Sequence, residues 1–454
     1  MMTIQENLQT SMFSVTLEEI VPNDHFLRKL DKLVDFGFVY DELAPYYCAN
    51  NGRPSTDPVV IIKSLLIAFL YGIQSERRLE QELNFNVAYR WFLGLGFDQK
   101  VPDHSTVSQL RRRKFNEADL FKKLFRHVLV QCVKAGLVSG KLVMTDSTHV
   151  KAFAAKAASV EIEIESQSDD FFDMLDAYEA TERAERNLPP IERTRPKSKN
   201  QKQKISTTDP DSGLLGRKNK PDGFHFLVHQ TIDAKNAIIL DATATAGNVH
   251  DSQPYLRQID RIIEILDEFH IDIETAAGDS AYDSPHIHKQ LFDRQVHACI
   301  VPQTLASNGK TEFVRKDFRY NKSGDFFTCP AGVLLSFRNF NRSETGVFRE
   351  YRAHPSNCKG CKFRKKCLAP SQQSRKLQIH IFRELVDKNH RFSRSHRGKE
   401  SLRLRQIWCE GTFALQKEQH NLRRLFRRGI KAAHDHCLLS ATAINLKRMV
   451  KCLG

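Results

Sequence analysis

Near Gly140 the hydrophobic period of this chain changes, so the two halves cannot share one kind of secondary structure. Upstream the pattern is helical. Ser55, Thr56 and Asp57 offer N-caps ahead of Pro58 at a first helical position, and Val59, Ile62, Leu65, Leu66 and Phe69 form one apolar stripe. Further helix starts lie at Ser75 and at Asp103 to Ser105, the latter helix running into Arg111, Arg112, Arg113 and Lys114. Residues 1–135 thus read as a helical domain with a basic edge. Downstream of Gly140, the short apolar run Leu142, Val143, Met144 ends abruptly in Thr145, Asp146 and Ser147, which predicts a buried strand with Asp146 at its terminus.

The remaining elements follow from the same reasoning. Residues 157–215 alternate an acidic run (161–186) with a basic one (193–204, around Pro196) and lack apolar periodicity, so they read as an insertion or mobile linker. From Gly223, Phe224, Phe226 and Val228 alternate with His225, Leu227 and His229, and a second strand over Ala237–Thr243 completes a hairpin. A helix capped at Asp251 follows, with Leu256, Ile259, Ile263 and Leu266 on one face. Next come a strand ending at Gly278, Asp279 and Ser280, a helix from Ser284, and a strand over Val296–Val301. This order predicts a mixed α/β sheet flanked by helices, in the manner of the ribonuclease H fold, with Asp146 and Asp279 on adjacent strand ends. Residues 136–302 are then the first part of a core, 303–385 an inserted cysteine-containing module, and 386–454 the helices that complete the core, ending in an apolar helix over Ala432–Val450.

The net charge of +15 favours a polyanionic partner, since basic surface binds phosphate by releasing counterions. Met1–Thr10 lacks the pattern of a signal peptide, and no apolar run reaches about 18 residues, so a cytoplasmic protein without a membrane span is expected. The apolar stretch Pro58–Ile73 reads as a buried helix. Six scattered cysteines (Cys48, Cys132, Cys299, Cys409, Cys437, Cys452) fit reduced core thiols rather than a disulfide framework.

Two aspartates at strand ends and Glu410 on a later helix form a set that hard divalent cations would take, and two such ions about 4 Å apart serve phosphoryl transfer. Taken singly, a strand-end aspartate is most often a cap, and Glu410 reads as one partner in a salt-bridged helix; the combination carries the case. Glu410 and Lys417 are seven residues apart, about two helical turns, and share a face roughly 10 Å apart. Glu410 stands nearly alone among Arg405, Arg423, Arg424, Arg427 and Arg428, which suggests metal beside DNA backbone; Arg423–Arg428 and Arg111–Lys114 are the first candidates for phosphate contacts.

The segments Leu142-Val-Met-Thr-Asp-Ser-Thr148, Ala277-Gly-Asp-Ser-Ala-Tyr-Asp283 and Arg405-Gln-Ile-Trp-Cys-Glu-Gly-Thr-Phe-Ala-Leu-Gln-Lys417, with Asn421-Leu-Arg-Arg424 and Arg428-Gly429, resemble the signatures of bacterial insertion-sequence DDE transposases, in particular the family numbered eleven eighty-two. Asp57–Phe115 resembles the N-terminal domain of those enzymes, Ser206–Asp211 a motif before their hairpin, and Asn445–Arg448 their closing helix. The resemblance implies that Asp146, Asp279 and Glu410 ligate Mg2+ or Mn2+, with Lys417 and Arg405 as DNA contacts. It also implies double-stranded DNA, both transposon ends and target, as the partner, at least a dimer on DNA, and a bacterial, nucleoid-associated location. The Tyr-x-x-Arg that often precedes the glutamate in related enzymes is absent, Arg403 and Gln406 standing in its place. His250 and Asp251 are either lining residues of the site or, for Asp251, a plain helix cap.

Cys358, Cys361 and Cys367 lie as C-x2-C-x5-C, with Cys329 in a preceding Cys-Pro-Ala-Gly turn. Four thiolates favour structural zinc; unliganded thiols and disulfides are the other readings. Two rival functions remain at this stage: a metal-dependent nuclease of the same fold without strand transfer, and a DNA-binding protein whose acids have lost their task.

Overall fold

The structure, a computed structural model, describes residues 15–48, 55–165, 169–194, 200–216, 222–303, 312–343 and 345–454. Met1–Thr10, Pro196 and residues 304–311 lie outside them. Helices fill the first part as the apolar period dictates. Asp57 caps the helix Pro58–Leu70, whose residues from Ile61 onward are nearly all buried, and Asp103 caps His104–Leu110 with both Ser105 and Thr106 N–H groups. The basic edge is narrower than its sequence: Arg111 is buried against Glu76, Lys114 stands over the Tyr47 ring, and only Arg112 and Arg113 are exposed. Helix Leu120–Lys134 completes this part.

Gly140 is the joint. Its φ of +71° and the approach of Asp272 O to 2.3 Å from where a Cβ would stand leave room for glycine alone. Beyond it run β1 (Val143–Lys151), β2 (Ser159–Glu165), β3 (Asn200–Ser206), β4 (Gly213–Leu215), β5 (Gly223–Asp233), β6 (Ile239–Ala246), β7 (Thr275–Gly278) and β8 (His297–Ile300). The main sheet has the order β4-β5-β1-β7-β8 with β6 also on β5. β5 is antiparallel to β1, β4 and β6, while β7 and β8 continue parallel to β1. Both outer edges are closed by asparagines: Asn445 of the helix Ile430–Leu453 pairs with the N–H and C=O of Ile239 at 2.8 Å, and Asn389 of Arg383–Arg394 does the same for Ile300. The apolar core runs without a break from Val21 through this sheet to Val450, so the N-terminal helices and the sheet share one interior. No helix of the described residues is long and apolar enough to cross a membrane.

The described part of residues 157–215 carries regular structure, which fits the insertion of the two sequence readings and not the mobile linker. β2 pairs with β3, setting Glu161 opposite Lys204 and Glu163 opposite Lys202, and helix Asp169–Glu185 lies on a second sheet. That sheet is antiparallel, β9 (Arg319–Asn321), β10 (Phe326–Thr328), β11 (Leu334–Ser343), β12 (Gly346–Arg352) and β13 (Lys376–His380), ordered β13-β12-β11-β10-β9. Arg349 and Arg342 of this sheet pair with Glu182 and Asp176 of the helix, and Leu175 packs on Phe340, Val347 and Ile381. Asp176 and Glu182 meet countercharges that arrive more than 150 residues later, which local periodicity does not register, while Glu179 pairs nearer by with Arg183 and Arg193. All ten cysteines are free, but only four of the six scattered ones are buried; Cys48 and Cys452 are exposed, a departure from the expected core thiols.

Candidate active site

Asp146 does not end its strand, as the apolar run predicted; it sits inside β1. The strand continues to Lys151 because β5 pairs with it throughout, Asp146 standing opposite Gln230. Its parallel partner β7 matches only Val143 to Ala276 and Met144 to Ala277, then stops at Gly278. Beyond Met144 β7 no longer covers that edge of β1, which is bridged again only at Lys151 by Arg424, and the register continued by two residues would bring Asp146 beside Asp279. Asp279 caps the 3-10 turn Ser280–Tyr282, accepting from Ala281 N at 2.9 Å. The turn is pinned by Asp283, which accepts from His288 and His390 side chains at 2.7 and 3.1 Å and from Gln303 N at 2.8 Å.

Burial pushes the Asp146 carboxyl up to about 6, opposed by the Arg405 charge and the Ser147 N–H, and Asp279 and Asp251 raise it further. Arg405 Nη1 lies 3.0 Å from Asp146 Oδ2, with only 11% and 18% of the two side chains exposed. Arg405 thus stands as the countercharge of Asp146 in this structure. Asp251 occupies the N-cap position of helix Ser252–Asp267 yet makes no capping bond. Its carboxylate accepts from Ser147 Oγ and stands 4.0 Å from His229 Nδ1, so of its two sequence readings the lining role is the one the side chain fills. The phenol of Tyr282 is buried without a hydrogen-bond partner, and burial together with the charges of Asp251, Asp146 and Asp279 drives its pKa far up. Tyr282 lies within the Ala277–Asp283 segment and His229 within the strand alternation, but neither is among the candidate site residues of the sequence; they join the site through the register of β5 and the turn after β7.

Glu410 is exposed at the end of a π-helical turn, Gln406–Glu410, that packs on β1 through Cys409, whose thiol donates to Met144 O at 3.7 Å. Both Asp146 and Glu410 add to the burial that raises the Cys409 thiol. Lys417, on helix Gly411–Gln419, donates to Thr148 Oγ1 at 2.6 Å, one strand step past Asp146 on the same face. Burial and Arg423 lower its ammonium pKa. Arg423, Arg424 and Arg428 are exposed, whereas Arg427 is turned inward beside Asp435 at 3.7 Å, and burial lowers its pKa to about 10. Among the described residues no three His, Cys, Asp or Glu side chains stand at metal-ligand spacing. The converging pair Asp146 and Asp279 has the hard-oxygen chemistry of a divalent-cation site.

The second cluster is a cavity lined by Cys329, Cys358, Cys361 and Cys367 at the end of the five-stranded sheet. Burial raises the Cys367 thiol, the other three cysteines add to it, and Arg375 opposes. Gly332, at φ +82°, turns the chain so that its N–H donates to Cys329 O at 2.8 Å. Four cysteines lining one small space are soft donors of the kind zinc takes, but no three of them stand at metal-ligand spacing here.

Comparison with known proteins adds two domain matches. Residues 15–113 match a transposase domain of otherwise unassigned function, and residues 328–450 match a transposase DDE domain, which takes in Glu410 and the four cysteines but not Asp146 or Asp279. No curated protein matches. Among solved structures, a piggyBac transposase synaptic complex with hairpin DNA is similar at 9% identity and a TM-score of 0.33, over 93% of this chain and 75% of that one. A Mos1 transposase paired-end complex with the left transposon end is similar at 11% identity and a TM-score of 0.17, over 56% and 62% of the two chains. Likenesses this loose carry no argument here.

Proposed function

We propose that this chain, a DDE transposase by the two transposase domains it carries, cuts DNA at element ends and joins the freed 3′-hydroxyl to target DNA at a site built on Asp146, Asp279 and Glu410. The observation that carries this reading is the register of β1 and β7, which continued by two residues would bring Asp146 beside Asp279. These acids and Glu410 would hold Mg2+ or Mn2+, which when bound activates the attacking oxygen and stabilises the leaving one. The protein's own groups do the rest. Arg405 keeps Asp146 ionised in spite of its burial, Ser147 and Asp251 hold the strand edge, and Lys417 presents an ammonium one strand step away to a phosphate. Arg423, Arg424 and Arg428 offer exposed charge to the flanking backbone.

Of the strands β6, β5, β1, β7 and β8, taken in that order across the sheet, only β5 runs against the others, which supports a ribonuclease H-like core. The three signature segments support membership of the insertion-sequence family numbered eleven eighty-two, hence a bacterial enzyme acting at the nucleoid. Holding two ends together calls for at least two copies on DNA. The cysteine module would hold one structural zinc between Cys329, Cys358, Cys361 and Cys367, giving a small sheet an anchor its own core does not supply.

Strand transfer separates this reading from a nuclease. With a pre-cleaved 3′-hydroxyl end and a plasmid target, joined product is expected in Mg2+ or Mn2+; shortened DNA alone would decide for hydrolysis.

A further inference from the structure

A cavity of about 600 Å3 opens where the N-terminal helices meet the far end of β1. Three phenylalanines line it: Phe69 is buried, while Phe153 and Phe426 are exposed to 40% and 38%. The two residues before Phe153 are held by backbone on either side: Ala152 N donates to Phe224 O at 3.0 Å, and Leu425 N donates to Lys151 O at 2.9 Å. Phe153 itself lies in the bend that follows β1. The guanidinium carbons of Arg424 and Arg428 stand 5.6 and 5.2 Å from its centroid. On the cavity wall Asn421 spends its amide N–H groups on Ala68 O and Ile73 O, both at 3.0 Å, and its Oδ1 is buried without a partner.

We propose that this cavity takes one unpaired nucleobase of the bound DNA, stacked on Phe153, with the adjoining phosphates held by Arg424 and Arg428. A half-exposed ring with two cations beside it suits a base joined to phosphates, since every base has a π-face and each phosphate a charge. Asn421 Oδ1 supplies an acceptor for a base amino group. Seven residues of extended chain separate Phe153 from Asp146, roughly 20 Å, less than one turn of duplex, so DNA engaged at the acids passes this point. Extruding a base costs unstacking and unpairing, least where the nucleotide already lacks a partner. The inference rests on the transposase reading, because it needs DNA along β1.

The test uses full-length protein and two duplexes of one sequence, one fully paired and one carrying a single unpaired 2-aminopurine nucleotide. The wild type is expected to bind the second about 10-fold more tightly, within the range that stacking on an aromatic side chain supplies, and to quench its fluorescence. Phe153→Ala and Phe153→Leu should lose preference and quenching while binding the paired duplex as before; Phe153→Trp should keep both. Equal binding of the two duplexes by wild type, or a preference that survives Phe153→Leu, overturns the proposal. Failure to bind either duplex would instead strike the transposase reading itself.

Discussion

Arg405 Nη1 stands 3.0 Å from Asp146 Oδ2, in a pair largely shielded from water. A basic residue that the family resemblance makes a DNA contact stands here as the countercharge of a catalytic candidate. Replacing Arg405 by alanine should therefore leave the salt dependence of DNA binding unchanged. Replacing Arg423, Arg424 or Arg428 should each lower the slope of log affinity against log salt by about 1. A slope change for Arg405→Ala equal to those of the exposed arginines would return it to the DNA surface.

Asp146→Asn, Asp279→Asn and Glu410→Gln should each reduce metal-dependent strand cleavage by at least about 10²-fold, with DNA binding retained. Asp251→Asn reports on the fourth carboxylate: because Asp251 reaches the site through Ser147, a smaller loss is expected. Gel assays of cleavage beside binding isotherms decide it, and unchanged cleavage in the first three variants ends the assignment.

The Asp146 carboxyl, raised to about 6, sets a pH dependence of known sign. Its folded pKa exceeds its unfolded value near 4, so ionising it costs the fold stability as pH rises between these values, by up to about 3 kcal/mol. A bound cation offsets that cost. The melting temperature with Mn2+ should exceed that of metal-free protein above pH 6, and the gap should close toward pH 4. A gap independent of pH would mean that the ion binds without Asp146.

Asp283 has the opposite sign. Burial raises its pKa, but His288, Gln303 and His390 outweigh it and hold the carboxyl below the ordinary range. The stability it supplies is present above the unfolded carboxylate pKa near 4 and is lost as pH falls through the folded one. Asp283→Asn should lower stability at neutral pH by about 2 kcal/mol, seen as a shifted urea midpoint, since it unpairs buried donors that join the Asp279 turn to helix Arg383–Arg394. An unshifted midpoint would remove that joint from the account.

Purified protein should carry one zinc per chain, lost in Cys358→Ser and Cys361→Ser. Chelation should loosen the five-stranded sheet, read by hydrogen exchange in β9 to β13, and leave β1 and β5 protected. Protein without zinc and with full protection there would leave the thiols unliganded.

What the sequence determined on its own is what local chemistry encodes. Asp57 before Pro58 starts a helix, the alternation from Phe224 makes β5, and Ser284 before Pro285 starts the helix after Asp279. These need only neighbours within a few residues. The tertiary structure decided the rest, because it depends on partners far along the chain. Asp146 became an interior strand residue since β5 pairs with all of β1 while β7 stops early. Arg405 turned inward because burial raises the cost of an unpaired Asp146, and the acidic helix Asp169–Glu185 formed against arginines of β11 and β12. Charge pairing across such distances has no period, so residue order alone does not reveal which opposite charges will meet.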